Sequence, residues 1–233
     1  MFYDLHIHSC LSPCAENEMT PNNICGMAMI KGLNVIAVTD HNSTRQLPAV
    51  SEAAAANGLK FIYGCELESS EEVHLLGYFK TMKQAEQLQE WIDSKMPGIK
   101  NKVDFFGDEE IMNSKDEVIG IEDRLLIVSL SASLDDCVEK IHELKGTAIL
   151  AHVMDRKNSV TTQLGFIPMD LAYDGLEVKS EAQKEEVLKL HPWISEEDTI
   201  WLYDSDAHRL TDISEAVHEI DTATYMKLCG DST

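Results

Sequence analysis

Short apolar runs of this chain repeatedly end in a histidine or a carboxylate. Val35–Thr39 leads into Asp40-His41, Phe61–Tyr63 into Gly64-Cys65-Glu66, Ala148–Ala151 into His152, and Ile200–Tyr203 into Asp204-Ser205-Asp206-Ala207-His208. At the front, Tyr3-Asp4-Leu5-His6-Ile7-His8 reads as a strand, where alternate side chains share a face, so His6 and His8 point the same way. Chance accounts easily for one such ending. Five of them point to a barrel or an open α/β sheet, in which the carboxyl ends of successive strands converge on one mouth. Taken alone, His-x-His would equally suit two histidines on the solvent face of an edge strand.

The segments between these runs have helical character. Thr20 can cap and Pro21 open a helix over Asn22–Lys31 that stops at Gly32, and an alanine-rich helix over Pro48–Asn57 is closed by Gly58. Val73–Phe79 reads as a hairpin-like partner of the strand Phe61–Tyr63. Lys83–Lys95 has helical spacing, whereas Asn101–Asp123 is polar and weakly periodic, the centre of an insertion that reads mostly as helix and loop. Regular alternation resumes with helix Leu134–Leu144, strands Ala148–His152 and Leu176–Val178, helix Glu181–Leu190 and strand Thr199–Tyr203. With 233 residues, 44% of them hydrophobic, and no Pro/Gly/Ser-rich linker, the chain reads as a single domain over 1–233, interrupted by an insertion at about 81–145.

A formal net charge of −22 disfavours a protein that coats long nucleic acid. The six cysteines are scattered through a chain large enough to fold without a disulfide framework, so free thiols in a reducing compartment are expected. No basic segment followed by an apolar stretch precedes His6, and no run is long enough to span a bilayer, so a cytoplasmic protein is expected. The residues leave the oligomeric state open.

In order, Asp4-Leu5-His6-Ile7-His8-Ser9, Thr39-Asp40-His41, Gly64-Cys65-Glu66, His74-Leu75-Leu76-Gly77, Ala151-His152 and Ser205-Asp206-Ala207-His208 resemble the motifs of the polymerase and histidinol phosphatase (PHP) superfamily, over residues 2 to about 210. The resemblance implies an α/β fold, a distorted (β/α)7 barrel with two or three divalent ions, zinc, manganese or iron, in its mouth. It gives one ion His6, His8, Glu66 and Asp206, a second His74 and His152 with Glu66 as the bridge, and a third His41 and His208. Relatives complete the third set with a histidine or aspartate shortly after the first motif. Here Cys10-Leu11-Ser12-Pro13-Cys14-Ala15-Glu16 offers only Cys14 or Glu16, and a thiolate would favour softer metals.

Glu66, Asp40, Arg156 and Arg209 are the candidates for catalytic roles. Asp40, beside His41, is read as orienting a ligand from behind it, and Arg156, ahead of Arg209 and Arg45, as gripping phosphate oxygens with its planar fork. Glu177 is read as a salt-bridged strand residue in preference to a mouth-facing one, and Asp204 as a strand-end acid. His142, His191 and His218 fall in helix or loop contexts and read as surface or capping histidines. The expected activity is hydrolysis of a small phosphomonoester, of nucleotide, nucleoside bisphosphate or histidinol phosphate type, by metal-activated hydroxide. Two alternatives stay open: hydrolysis of an amide by the same kind of centre, and a non-catalytic regulatory domain braced by metal.

Overall fold

The computed structural model describes residues 1–154 and 156–229. β1 (Tyr3–Ile7) is followed by α1 (Pro21–Lys31), in which Thr20 accepts from the Asn23 N–H at the start and Gly32, in the left-handed region, closes the end. Next come β2 (Val35–Val38), α2 (Leu47–Ala56), β3 (Lys60–Glu68) and β4 (His74–Phe79). α3 (Met82–Lys95) starts at a capping box made by Thr81 and Gln84. α4 (Val103–Phe106), β5 (Glu109–Met112) and β6 (Val118–Glu122) lead to α5 (Leu134–Glu143), whose capping box uses Ser133 and Asp136 and whose Cys137, Val138 and Ile141 are buried. β7 (Thr147–Leu150), α6 (Val160–Leu164), β8 (Gly175–Glu177), α7 (Glu181–Leu190), β9 (Ile200–Leu202) and α8 (Thr222–Leu228) complete the order.

Seven strands form one curled sheet in the order β1-β2-β3-β4-β7-β8-β9, parallel except for β4, which runs antiparallel to both β3 and β7. Residues beyond β9 return to β1. The His8 N–H donates to the Ala207 carbonyl (2.9 Å) and the Ala207 N–H to the His6 carbonyl (3.2 Å), closing the sheet into the expected distorted barrel. Alternate strand residues, among them Leu5, Val35, Ile62, Tyr78, Ile149 and Leu202, pack inside, as a two-residue side-chain period requires. Gly175 sits where two strands crowd it: a Cβ there would lie 2.4 Å from the Ile200 carbonyl oxygen. Outside, α1 and α2 cover one flank of the sheet and α3 and α5 another. Leu228 and Cys229, at the end of α8, join the interior cluster from the amino-end side, where Met1 accepts from the Ile220 N–H (2.9 Å).

Two details differ from the sequence expectation. β3 extends to Glu68, so Glu66 lies within the strand and not beyond it, because pairing with β4 (Glu66 opposite Leu76, Glu68 opposite His74) continues the ladder. The insertion is largely helix and loop but also holds the hairpin β5–β6. Its turn is set by the Asn113 side chain, which accepts from the Lys115 and Glu117 N–H groups, and by Asp116 at φ 59°.

Candidate metal centre

The carboxyl ends of the strands gather the candidate ligands. His6 and His8 project from the end of β1 with their Nε2 atoms 3.2 Å apart, and both lie 3.3–3.4 Å from carboxylate oxygens of Glu66 and Asp206. The other side of Glu66 faces β4 and β7: Oε1 is 2.8 Å from His74 Nδ1 and 3.2 Å from His152 Nε2. His41, after β2, brings Nδ1 within 3.0 Å of Glu66 Oε2. One buried carboxylate thus stands between two sets of imidazoles, as a bridging ligand would. Three groups could each hold an ion: His6, His8 and Asp206; His41, Glu66 and His74; and His8, Cys14, His41 and His208.

The backbone is strained at this site. His152 has φ 28° and Asp206 has φ 54°, in the region that L-residues rarely adopt. The His152 N–H is held by Glu177 Oε2 at 2.6 Å, while Asp206 is fixed by its neighbour Ala207 in the closing bridge to β1.

A ring of polar groups orients the ligands from behind. Glu177 lies 3.0 Å from His6 Nδ1, which sets that ring's tautomer and leaves Nε2 for the mouth. Ser12 Oγ lies 3.1 Å from His8 Nδ1 and donates to Asp40 Oδ1 at 2.7 Å; Asp40 also accepts from the Ser9 N–H and hydroxyl (2.7 and 2.6 Å). Asp40 is therefore consumed in holding the loop after β1. Its oxygens face Ser9 and Ser12, so through Ser12 it stands behind His8 and not the adjacent His41. Glu177 is paired, as the sequence suggests, but its partner is His6, 171 positions away. The roles of Glu177, Ser9 and Ser12 are invisible in sequence, because a serine or glutamate that orients a histidine has no spacing to distinguish it.

Charge follows geometry. Burial alone would raise the Glu66 carboxyl, yet His74, then His6 and His41, hold it well below the ordinary range. Burial alone would lower the His6 imidazole, and Glu177, Glu66 and Asp206 raise it well above its usual value instead. By the same contest His8 and His74 are pushed up to about 9, against burial, by Asp206 and Glu66 in one case and Glu66 in the other. His208 is pushed down to about 4 by burial and by His8 beside it. The buried acids thus call for positive charge between them, which protons on imidazole or divalent ions can supply. Ions fit the donors better in one respect: His41 Nδ1 and Glu66 Oε2 are buried, yet neither makes a hydrogen bond of good geometry, which leaves both lone pairs open to a cation.

A cavity of about 560 Å³ opens over the donors, with His41, His74, His152 and His208 in its floor and Arg156 and Lys157 on its rim. The insertion supplies a wall, Ile127, Val128 and Ser129, pinned by Asn42, whose side chain donates to the Leu126 and Val128 carbonyls at 2.8 Å. A larger cavity of about 830 Å³, beside Tyr173 and Trp193 at the amino ends of the strands, contains none of the candidate ligands. Arg156 is 3.3 Å from Asp206 Oδ2. The remaining candidates lie elsewhere. Arg209 and Glu16 form an exposed ion pair (3.0 Å) outside the donor cluster, and Arg45 is bound to Asp93 and Glu122, because in each case an acid outside the mouth is nearer. Asp204 accepts the Leu5 N–H (2.6 Å), and burial first, then Asp4 and Glu177, raises its carboxyl well above the ordinary range. His142 pairs with Asp174, buried His191 accepts from the Ile167 N–H, and His218 stacks on Tyr203, all away from the cluster.

Comparison with known proteins gives a consistent family. The sequence matches the PHP domain across residues 4–222. It is 30% identical over 82 residues to the 5'-3' exoribonuclease Rnm of Salmonella typhimurium, covering 33% of this chain and 27% of that protein. It is 34% identical over 77 residues to the 3',5'-nucleoside bisphosphate phosphatase of Chromobacterium violaceum, covering 32% and 26%. The matches thus span about a quarter of these relatives' length. A Bifidobacterium adolescentis protein with the provisional description metal-dependent phosphoesterase superimposes with a TM-score of 0.62 at 17% identity, over 99% of this chain and 96% of its own, a likeness of fold.

Proposed function

The chain belongs to the PHP domain family, and from that premise we propose that it is a metal-dependent phosphoesterase that removes phosphate from a small phosphomonoester. The observation that carries this reading is Glu66, one buried carboxylate with imidazoles closing on both of its oxygens. His6, His8, Glu66 and Asp206 would hold one ion and Glu66, His74 and His152 a second, with zinc, manganese or iron suited to such nitrogen and oxygen donors. Divalent ions in such a centre make water acidic enough to ionise near neutral pH and neutralise the charge on the transferring phosphoryl group.

This chain's own residues do the rest. Glu177 and the Asp40–Ser12 pair lock the rings of His6 and His8, so no rotamer freedom has to be lost on binding. Arg156, already beside Asp206 and half exposed, is placed to turn its fork to a non-bridging phosphate oxygen, and Lys157 adds a second cation at the rim. The cavity volume suits a ligand of nucleotide size, and the net charge of −22 disfavours long nucleic acid. The match to an exoribonuclease favours a second reading, release of the terminal nucleotide from a short oligonucleotide that enters the same mouth by its end. The cysteines form no disulfide among the described residues, which supports a reducing compartment such as the cytoplasm. Among these residues no helix is long and apolar enough to cross a membrane.

The test is phosphate release by metal-loaded protein from AMP, a 3',5'-bisphosphate, histidinol phosphate and an aryl phosphate, beside a 5'-labelled oligoribonucleotide. Turnover of at least one monoester, reduced ~100-fold or more in Glu66→Ala together with a fall in metal content, is the expected result. Full metal occupancy in Glu66→Ala would remove the bridging assignment. Absence of release from every ester would remove the phosphoesterase reading.

A further inference from the structure

The group of donors nearest the solvent contains a sulfur. One donor atom each from His8, Cys14, His41 and His208 lies within 4.8 Å of the others. Three observations make this more than a thiol near histidines. His41 is 5% exposed and its Nδ1 has no hydrogen bond of good geometry. His208 Nδ1 is 2.8 Å from the Asp206 carbonyl, to which it can only donate, so Nε2 keeps its lone pair for an ion. The loop that carries Cys14 is tied down by backbone bonds: Ala15 N–H to the Ser12 carbonyl (3.0 Å), Met19 N–H to the Glu16 carbonyl (3.0 Å) and Glu16 N–H to the His208 carbonyl (3.0 Å). The last of these fastens the thiol's own loop to the histidine it would join. Glu16, the carboxylate on the same loop, is turned out to Arg209.

We propose that Cys14, with His41 and His208 beside His8, forms a sulfur-ligated metal position at the rim of the mouth that selects a thiophilic divalent ion, zinc before manganese or magnesium. The proposal rests on the two-ion reading only in leaving His8 to the inner position: its Nε2 faces Glu66 and Asp206 and its Nδ1 faces Ser12, so it lines the rim position without donating to it. Sulfur is the distinguishing donor: the inner donors around Glu66 are nitrogen and oxygen, so the same mouth holds positions of different metal preference. On binding, the Cys14 S–H bond is exchanged for a metal–sulfur bond and the proton passes to water, with no change of oxidation state.

Cobalt(II) reads the proposal directly, because a thiolate ligand gives a sulfur-to-cobalt charge-transfer absorption in the near ultraviolet that imidazole and carboxylate do not. Chelator-stripped wild-type protein titrated with cobalt should show this absorption, and Cys14→Ser should lose it. Elemental analysis after zinc loading should find one ion fewer per chain in Cys14→Ser. Cys14→Asp should keep the ion count but favour manganese over zinc by at least ~10-fold relative to wild type. Glu16→Ala should match wild type throughout. Absence of the absorption in wild type, its persistence in Cys14→Ser, or equal zinc content in both proteins would overturn the assignment. Failure of the inner centre would register separately, as unchanged metal content in Glu66→Ala.

Discussion

Glu177 is the residue on which the proposed inner ligands most depend. Its carboxylate meets His6 Nδ1 at 3.0 Å and receives the His152 backbone N–H at 2.6 Å, so it orients one ring of the first proposed ion's set and holds the strained backbone that carries a donor of the second. Glu177→Ala should therefore weaken both inner positions, lowering metal affinity by roughly 10–100-fold, whereas Glu177→Gln, whose one amide oxygen can still accept the His152 N–H, should lose less. Competition with a chromophoric chelator measures this, and equal affinity in Glu177→Ala and wild type would show the contact to be incidental. The gathering of proposed ligands such as His6, Glu66 and Asp206 was legible because each type of donor recurs at a strand end. The pairing of Glu177 with His6 was not, since which base a buried acid finds depends on strands 171 residues apart coming together. Arg209 shows the opposite failure: adjacency to His208 in sequence placed it at the mouth, and Glu16 draws it away.

At the level of elements, the hairpin β5–β6 carries a buried electrostatic conflict. Glu109 in β5 is fully buried directly opposite Glu122 in β6, but Arg124 and Arg45 are both engaged by Glu122, and neither Glu109 oxygen makes a hydrogen bond of good geometry. Burial, with Glu122 adding to it, pushes the Glu109 carboxyl up to about 8. The folded form therefore keeps its proton between the ordinary carboxyl range and pH 8 while the unfolded chain loses it, so the unfolded state binds fewer protons and stability falls as pH rises through that window. Glu109→Gln should be close to neutral at pH 4.5 and stabilising by about 1–3 kcal/mol at pH 8. Melting temperatures of both proteins across that range decide the matter, and a constant difference would remove the conflict. The hairpin itself escaped the sequence because its turn lacks the usual glycine signal: Asn113 closes it through side-chain bonds, and Asp116 takes the left-handed residue's place. Helices with a cap and stop at both ends, such as α1, were legible almost to the residue.

For the molecule as a whole, the seam between β9 and β1 is where fold and site become one. β8 and β9 are only three residues each, and the sheet closes through residues beyond β9, by the paired bonds of Ala207 to His6 and His8 and by Asp204 and Ser205 bonded to the backbone and side chains of β1. An ion held by His6, His8, Glu66 and Asp206 would cross-link that seam to β3, adding a constraint where the ladder is shortest. Barrel closure was implied by the convergence of strand ends in the sequence, but the division of labour between hydrogen bonds and donors at the seam was not, since neither Ser205 nor Ala207 carries a pattern. Removal of metal should consequently act locally before it acts globally. Chelation should lower stability by RT ln(1 + [L]/Kd), about 4 kcal/mol for an ion present at ~1,000 times its Kd. It should also raise amide exchange in residues 4–9 and 203–208 well before that of the capped helix α5, whose buried face packs on β4 and β7 away from the seam. Hydrogen exchange followed by mass spectrometry, with and without chelator, measures both. Uniform loss of protection across α5 and the seam would mean that the ion stabilises the barrel only through its global equilibrium and that the seam closes without it.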